Sequence, residues 1–243
     1  MFSVSVCAPA YNEEEGIEDV LKSWVKSLEL GMEVGIFTDY EIVICDDGSK
    51  DRTISTIDKI GNNRIKVVKN SDNQGSGIAI RRAIQASSNQ FVITIDSDGQ
   101  FKLEEALEWI KGVDKNTIVL GYRKKEGSLP HKIGSKLSNA LFGLSFSEKI
   151  PDANCMLKLL PGDLARRLDM RAVGLNYSGE MTFLICTSQS KVIWKPVSHL
   201  ERSTGKSSVR LARDGVNRIR FQFFLLFEHY LIKKKILSAR NGL

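Results

Sequence analysis

Two acidic residues, Asp96 and Asp98, stand directly after the apolar run 91–95 (FVITI), which is typical of a buried strand. Carboxylate oxygens suit Mg²⁺ or Mn²⁺. We therefore interpret Asp96 and Asp98 as candidate ligands of a divalent metal that carries a diphosphate. An Asp-x-Asp pair is weak evidence by itself, because random sequence produces it often.

Two further polar segments follow predicted strands. Residues 9–13 (PAYNE) come after the first apolar run, and residues 46–53 (DDGSKDRT) come after the second. The carboxyl ends of parallel strands meet at one edge of a sheet, where open α/β folds bind ligands. We therefore expect the three polar clusters to converge there, although each alone is also compatible with a turn before a helix.

Strands alternate with helices through the first 120 residues, which predicts a mostly parallel sheet. Apolar residues at three- and four-residue spacing predict a first helix over 13–30, with Asn12 as its cap. The alternation of strands and helices ends after Gly121. The later predictions are helices over 131–144, 161–168, 177–187 and 218–237, a strand over 191–196, a loop over 200–209 and partly extended chain over 151–160.

Charge is distributed unevenly along the 243 residues, whose net charge is +6. Residues 191–243 hold 12 Lys and Arg against 3 Asp and Glu, which favours anionic partners such as lipid headgroups, phosphorylated substrates or nucleic acid. The alternative is a basic surface that only faces solvent. The four cysteines are scattered, as is typical of a reducing compartment. With no recognisable secretory signal and no run of about 20 apolar residues, we expect a cytoplasmic protein.

In order and placement, the polar segments resemble glycosyltransferase family 2 on the GT-A fold. The matching segments are residues 9–13, 46–53, 73–77 (NQGSG) and 96–100 (DSDGQ). The resemblance implies an α/β fold, with helices on both faces of a mostly parallel central sheet, and a nucleotide-sugar donor.

The second half resembles the polyprenyl-phosphate group of this family, of the dolichyl-phosphate mannosyltransferase type. The matching segments are residues 152–158 (DANCMLK), 179–181 (GEM) and 202–208 (RSTGKSS). Cys155 and Met156 stand where Gly-Phe is usual, which weakens the first match.

The resemblance implies a role for each candidate residue toward a GDP- or UDP-sugar and Mg²⁺ or Mn²⁺. It implies that Asp96 and Asp98 hold the metal, with Gln100 nearby as a further candidate ligand. Donor-binding candidates are Pro9, Tyr11, Glu13, Cys45, Asp47, Asp96, Ser97, Asp98, Gln100, Arg123, Arg202 and Lys206. Catalytic candidates are Asp152, Glu180, Arg123 and Arg202. Asp152 is the first candidate for a general base and Glu180 the second, whereas the arginines would offset the charge of the departing diphosphate.

We predict one catalytic domain over residues 1–215, with a donor half over 1–125 and an acceptor half over 126–215. We predict that residues 216–243 form a basic and apolar helix, whose uncharged run, 221–227, would cover only about 10 Å. That run is too short to cross a bilayer, so we interpret it as an interfacial anchor at the cytoplasmic face of an anionic membrane. The alternative is packing on the core or on a second subunit, which leaves an oligomer possible.

Three functions remain open on the sequence. The first is inverting sugar transfer to a polyprenyl phosphate, the second is transfer to a glycan hydroxyl in surface polysaccharide assembly, and the third is noncatalytic nucleotide-sugar binding. A hydroxyl acceptor needs a general base, whereas a lipid phosphate is already anionic. No Gly-x-Gly-x-x-Gly follows the first strand, which argues against a dinucleotide oxidoreductase. Nucleic acid is not expected as a partner, because it would leave the carboxylate clusters unexplained.

Overall fold

The computed structural model describes residues 2–124, 150–188, 191–201, 220–227 and 230. Within these ranges one sheet has the strand order β3-β2-β1-β4-β6-β5-β7. Its strands are β1 Ser3–Ala10, β2 Asp39–Asp46, β3 Ile65–Lys69, β4 Phe91–Thr94, β5 Ile118–Arg123, β6 Lys158–Pro161 and β7 Val192–Val197. Strand β6 runs antiparallel to β4 and β5, and the remaining neighbours are parallel. The mostly parallel α/β sheet is as predicted.

Helices connect the strands and cover the sheet. They are α1 Ile17–Glu33, α2 Thr53–Lys59, α3 Ser76–Ala86, α4 Leu103–Ile110, α5 Gly162–Arg167, α6 Tyr177–Thr187 and α7 over 220–227. Helix α1 packs against α2 and α4, whereas α3 packs against α5 and α6. These two groups give the helical layers expected on the two faces of the sheet. No helix of the described residues is long and apolar enough to cross a membrane.

The core lies on the central strands, which are apolar on both faces. Val6 of β1, Ile42 and Ile44 of β2, and Ile93 of β4 are all fully buried. A strand that is covered by helices on both faces has a continuous run of apolar residues in its sequence. This is why these strands could be predicted from the sequence. Their burial fixes the positions of the polar residues that follow each strand.

The structure differs from the sequence predictions at two points. Helix α1 begins at Ile17 rather than at residue 13, and Asn12 is not its cap. Instead, Asn12 Oδ1 accepts a hydrogen bond from the backbone N–H of Lys50 at 2.8 Å. The partly extended segment 151–160 contains the start of antiparallel β6, a pairing that the sequence did not reveal.

Several predictions fall on residues outside the described ranges. They are the helix over 131–144, most of the loop over 200–209 and most of the helix over 218–237, of which the described part, 220–227, is helical as predicted. The division of the domain into a donor half and an acceptor half stays a prediction.

Candidate active site

The polar segments after β1, β2 and β4 meet at the carboxyl edge of the sheet, as predicted. The Asn12 backbone N–H donates to Ser49 Oγ at 2.9 Å, which joins the first segment to the second. The Ser97 hydroxyl donates to the Pro9 carbonyl at 2.7 Å, which joins the third segment to the first. The three clusters therefore form one continuous polar surface.

Asp47 holds the neighbouring loop through its carboxylate. Its oxygens accept hydrogen bonds from Asn70 Nδ2 at 2.6 Å, from the Gln74 backbone N–H at 3.0 Å and from the Gly75 backbone N–H at 2.8 Å. Gly75 has φ +100°, and a Cβ there would lie 2.4 Å from the Val173 carbonyl oxygen, so the loop requires glycine. A contact between Asp47 and a donor stays a prediction.

The acidic pair follows β4 and occupies this same edge. Asp96 Oδ1 accepts a hydrogen bond from the Tyr177 hydroxyl at 2.8 Å, and Asp98 Oδ1 accepts one from the Gln100 backbone N–H at 3.1 Å. Desolvation and the negative charge of Asp98 raise the pKa of Asp96 to about 6. A desolvated carboxylate with a second negative charge close by is suited to a nearby cation.

The donor set fits a divalent metal that shares its coordination with a substrate. No group of three or more His, Cys, Asp or Glu among the described residues is arranged to hold a metal by itself. Mg²⁺ commonly binds one or two carboxylates and takes its remaining ligands from water and substrate phosphates. Asp96 and Asp98 would hold such a metal, and the diphosphate would complete its coordination.

Gln100 is bonded to the segment that leaves β7. Its side-chain Nε2 donates to the Leu200 carbonyl at 3.1 Å, and the Leu200 backbone N–H donates to the Gln100 carbonyl at 2.8 Å. These two bonds place residues 198–201 against the acidic loop. A metal contact through the amide oxygen of Gln100 stays a prediction.

Arg123, at the end of β5, forms an ion pair with Asp152. Arg123 Nε lies 2.8 Å from Asp152 Oδ2 and Arg123 Nη2 lies 3.1 Å from Oδ1. Burial alone would raise the pKa of Asp152, but the guanidinium outweighs it and the pKa lies below its ordinary value. Asp152 is therefore ionised and paired, which makes it a weak proton acceptor.

Glu180, on α6, uses its carboxylate to bind backbone N–H groups. Its two oxygens accept hydrogen bonds from the backbone N–H groups of Arg171 and Ala172, each at 2.8 Å. Burial raises the pKa of Glu180 above its ordinary value. The same segment contacts α3, where the Gly77 N–H donates to the Val173 carbonyl at 2.8 Å. Glu180 therefore supports residues 171–173, and its catalytic role stays a prediction.

Lys158, the last residue of the family-like segment 152–158, is a fully buried cation. Its Nζ donates to the Cys155 carbonyl and, at 3.0 Å, to Thr182 Oγ1. Burial lowers the pKa of Lys158 to about 8. Its charge is one of those that favour the ionised form of Asp96, so it contributes to the field at the acidic pair.

Tyr177 was not singled out from the sequence, because a tyrosine at a helix start carries no sequence signal for a carboxylate partner. Burial and the charge of Asp96 raise the pKa of Tyr177 well above its ordinary value, so its hydroxyl stays a donor.

The His199 ring packs edge-on against the Phe101 ring, with the two ring centroids 5.0 Å apart. Desolvation and the charge of Arg123 lower the pKa of His199, whereas Asp98 and Asp152 act in the opposite direction. The imidazole therefore lies within electrostatic range of the candidate site.

The remaining candidates differ in accessibility. Pro9, Tyr11 and Glu13 are half-buried at the sheet edge. Cys45 is fully buried in β2, where its neighbours in the adjoining strands are Pro9 and Val68. Arg202 and Lys206 lie outside the described residues.

The fold is that of the GT-A glycosyltransferases. The sequence model of Glycosyl transferase family 2 matches residues 5–159, and the chain belongs to that family. A solved structure of the same fold is glucosyl-3-phosphoglycerate synthase from Mycobacterium tuberculosis in complex with Mn²⁺, uridine diphosphate and glucosyl-3-phosphoglycerate. It has a TM-score of 0.66 and 18% identity, and the match covers 94% of this chain and 80% of that one.

Two curated relatives have names that include a polyprenyl phosphate. Dolichyl-phosphate beta-glucosyltransferase of Dictyostelium discoideum is 29% identical over 246 residues, which cover 91% of this chain and 75% of the relative. Undecaprenyl-phosphate 4-deoxy-4-formamido-L-arabinose transferase of Proteus mirabilis (strain HI4320) is 28% identical over 212 residues. That match covers 84% of this chain and 62% of the relative, so the chain spans less than two thirds of its length.

Proposed function

We propose that this protein transfers a sugar from a nucleotide-diphosphate sugar to a polyprenyl phosphate, with inversion at the anomeric carbon and with Mg²⁺ or Mn²⁺ as cofactor. The proposal is carried by the acidic pair Asp96 and Asp98 at the sheet edge, with the Arg123 guanidinium near enough to affect the pKa of Asp96. Such an arrangement of two anions and a cation suits a diphosphate that gains negative charge as it departs.

The donor would lie along the polar surface that joins β1, β2 and β4. Pro9 and Tyr11 would border the base and ribose, and Glu13 would accept a hydrogen bond from a ribose hydroxyl. Asp96 and Asp98 would hold the metal, which when bound neutralises the departing nucleoside diphosphate. Arg123, Arg202 and Lys206 would add positive charge around the phosphates.

The acceptor would attack through a phosphate oxygen. A phosphate monoester is anionic at neutral pH, so this oxygen needs no base to remove a proton. The contacts of the two base candidates agree with that chemistry, because Asp152 is paired with Arg123 and Glu180 accepts backbone hydrogen bonds. Asp152 would then position Arg123. The names of the two curated relatives support the same acceptor class.

The C-terminal helix supports contact with a membrane that holds such an acceptor. In α7, Leu225 is buried against the protein, whereas Phe223 and Phe227 are 56% and 61% exposed. Exposed aromatic side chains beside basic residues are typical of helices that lie in the interface of anionic bilayers. We therefore place the protein at the cytoplasmic face of a membrane, as a peripheral protein.

The test pairs radiolabelled UDP- and GDP-sugars with purified polyprenyl phosphate and, separately, with glycan acceptors. The expected result is label in the organic phase with one donor, in the presence of Mn²⁺ and not of EDTA. Asp98→Asn should lose the transfer, whereas Asp163→Asn, which changes an exposed carboxylate on α5, should keep it. Label that enters only the glycan would show that the acceptor is a glycan hydroxyl and not a polyprenyl phosphate. Binding of the donor without transfer to any acceptor would refute the catalytic proposal.

A further inference from the structure

Helix α6 reaches the acidic pair through its first residue. Tyr177 is buried, and its hydroxyl donates to Asp96 Oδ1 at 2.8 Å across 81 positions of the sequence. Because α6 follows the segment 152–161 in the chain, this bond joins the predicted acceptor half to the carboxylate at the end of β4. It is a direct contact between the second half of the chain and a candidate metal ligand.

The first turns of α6 are fixed by other buried polar bonds. Ser178 Oγ donates to the Cys155 carbonyl at 3.0 Å, and Thr182 Oγ1 donates to the Ala153 carbonyl at 2.7 Å. Both acceptors belong to the segment that contains Asp152. The helix therefore cannot shift without breaking several buried hydrogen bonds, and the Tyr177 hydroxyl has a defined position.

The bond determines how Asp96 presents its two oxygens. Because Oδ1 accepts the hydrogen bond of the Tyr177 hydroxyl, the rotation of the Asp96 carboxylate about its Cβ–Cγ bond is restricted. Residues that orient metal ligands in this way commonly change metal affinity by about 10- to 100-fold when they are replaced.

We infer that Tyr177 is a positioning residue that orients Asp96 toward the divalent metal and thereby connects the acceptor side of the protein to the metal site. This inference rests on the proposed function, because it assumes that Asp96 is a metal ligand. It assigns the role to the Tyr177 hydroxyl rather than to the packing of its ring.

The test measures the binding of Mn²⁺ to the protein in the presence of UDP or GDP. Binding is monitored as the loss of the electron paramagnetic resonance signal of free Mn²⁺. Tyr177→Phe removes only the hydroxyl, and we expect its affinity for Mn²⁺ to fall by about tenfold. Tyr40→Phe is the matched control, because Tyr40 is buried and its hydroxyl also faces a carboxylate, that of Glu29 at 3.4 Å, at the opposite end of β2. Its affinity should equal that of the wild type.

A second arm isolates the route through Asp96. In an Asp96→Asn background, Tyr177→Phe should cause no further loss of Mn²⁺ affinity, since the residue acts through that carboxylate. If Tyr177→Phe does not fold, 4-aminophenylalanine at position 177 keeps a donor and should retain affinity, whereas 4-fluorophenylalanine should lose it.

The outcomes separate this inference from the proposed function. Equal Mn²⁺ affinity for the wild type and for folded Tyr177→Phe, or for the two analogues, overturns the positioning role and leaves the proposed function standing. A wild type that binds no Mn²⁺ with either nucleotide overturns both. A loss that persists in full in the Asp96→Asn background contradicts the route through Asp96.

Discussion

Arg123 and Asp152 form a two-point ion pair, in which Nε and Nη2 of the guanidinium lie 2.8 Å and 3.1 Å from the two carboxylate oxygens. The Arg123 backbone N–H also donates to Asp152 Oδ2 at 3.3 Å. The carboxylate of Asp152 therefore holds the guanidinium of Arg123 in one orientation. This geometry favours an acceptor that arrives already ionised.

Asp152→Asn tests that interpretation. Because Asp152 would position Arg123 and remove no proton, we expect the transfer rate to fall by about 100-fold or less. The pKa of Asp152 is depressed, so it does not titrate between pH 5 and pH 9, and the variant should keep the shape of the wild-type pH–rate profile. The measurement is transfer to polyprenyl phosphate across that range, with Asp163→Asn as control. A general base would instead show a larger loss together with the disappearance of a pH-dependent limb.

Glu180→Gln distinguishes a structural carboxylate from a catalytic one. Both Glu180 oxygens accept backbone N–H groups, and an amide can accept only through one of its two terminal atoms. We expect the free energy of unfolding to fall by about 1 to 3 kcal/mol, measured by urea denaturation. The transfer rate per folded molecule should change less than tenfold.

The matched control for this prediction is Glu108→Gln, which changes an exposed glutamate on α4 and should leave the free energy of unfolding nearly unchanged. A stable Glu180→Gln variant that has lost transfer would show that Glu180 takes part in the chemistry.

The contacts of Glu41 predict how the free energy of unfolding depends on pH. Burial would raise its pKa, but hydrogen bonds from Lys66, Ser5 and Ser88 outweigh burial and lower the pKa from 4.5 to about 2. A depressed pKa stabilises the fold above pH 4.5, and this contribution is lost as the pH falls toward 2. Glu41→Gln should therefore reduce the free energy of unfolding by about 2 to 3 kcal/mol at pH 7, with a difference from the wild type that shrinks between pH 4.5 and pH 2.

The measurement is chemical denaturation at several pH values. Glu33→Gln, at an exposed position near the end of α1, serves as the control and should follow the wild type. A Glu41→Gln deficit that stays constant from pH 7 to pH 2 would assign the loss to packing instead of charge.

The double variant Phe223→Ser, Phe227→Ser tests membrane contact. Each phenylalanine that inserts into a bilayer contributes about 1.5 to 3 kcal/mol, so the variant should sediment with anionic vesicles at least about tenfold more weakly. Leu30→Ser, which changes a side chain that is 57% exposed on α1, should sediment like the wild type. Unchanged sedimentation of the double variant would favour packing of this helix face on another protein.

The sheet edge could be predicted from sequence because its signals are local. Asp96 and Asp98 directly follow a buried apolar strand, and parallel strands bring their carboxyl ends together wherever helices connect them. The family resemblance of the polar segments rested on the same local patterns, and it is confirmed.

The contacts that the sequence did not reveal join distant parts of the chain. Tyr177 donates a hydrogen bond to Asp96, and Glu180 accepts hydrogen bonds from backbone N–H groups. Both contacts depend on how α6 packs, which no local sequence pattern encodes. The antiparallel strand β6 was not predicted for a similar reason. It pairs with strands that are far away in the sequence, and no hairpin-turn pattern in the sequence indicates that pairing. Asn12 was read as a cap from its residue type, but its side chain binds the second polar loop instead.

The central claim is that Asp96 and Asp98 hold a divalent cation on the diphosphate of the donor. Its most direct measurement is calorimetric titration of UDP and GDP into the wild type and Asp98→Asn, each with Mn²⁺ and with EDTA. We predict that the wild type binds one of the two nucleotides at least about tenfold more tightly with Mn²⁺, and that folded Asp98→Asn shows no such gain. Equal affinity of the wild type with Mn²⁺ and with EDTA, for both nucleotides, would contradict the claim.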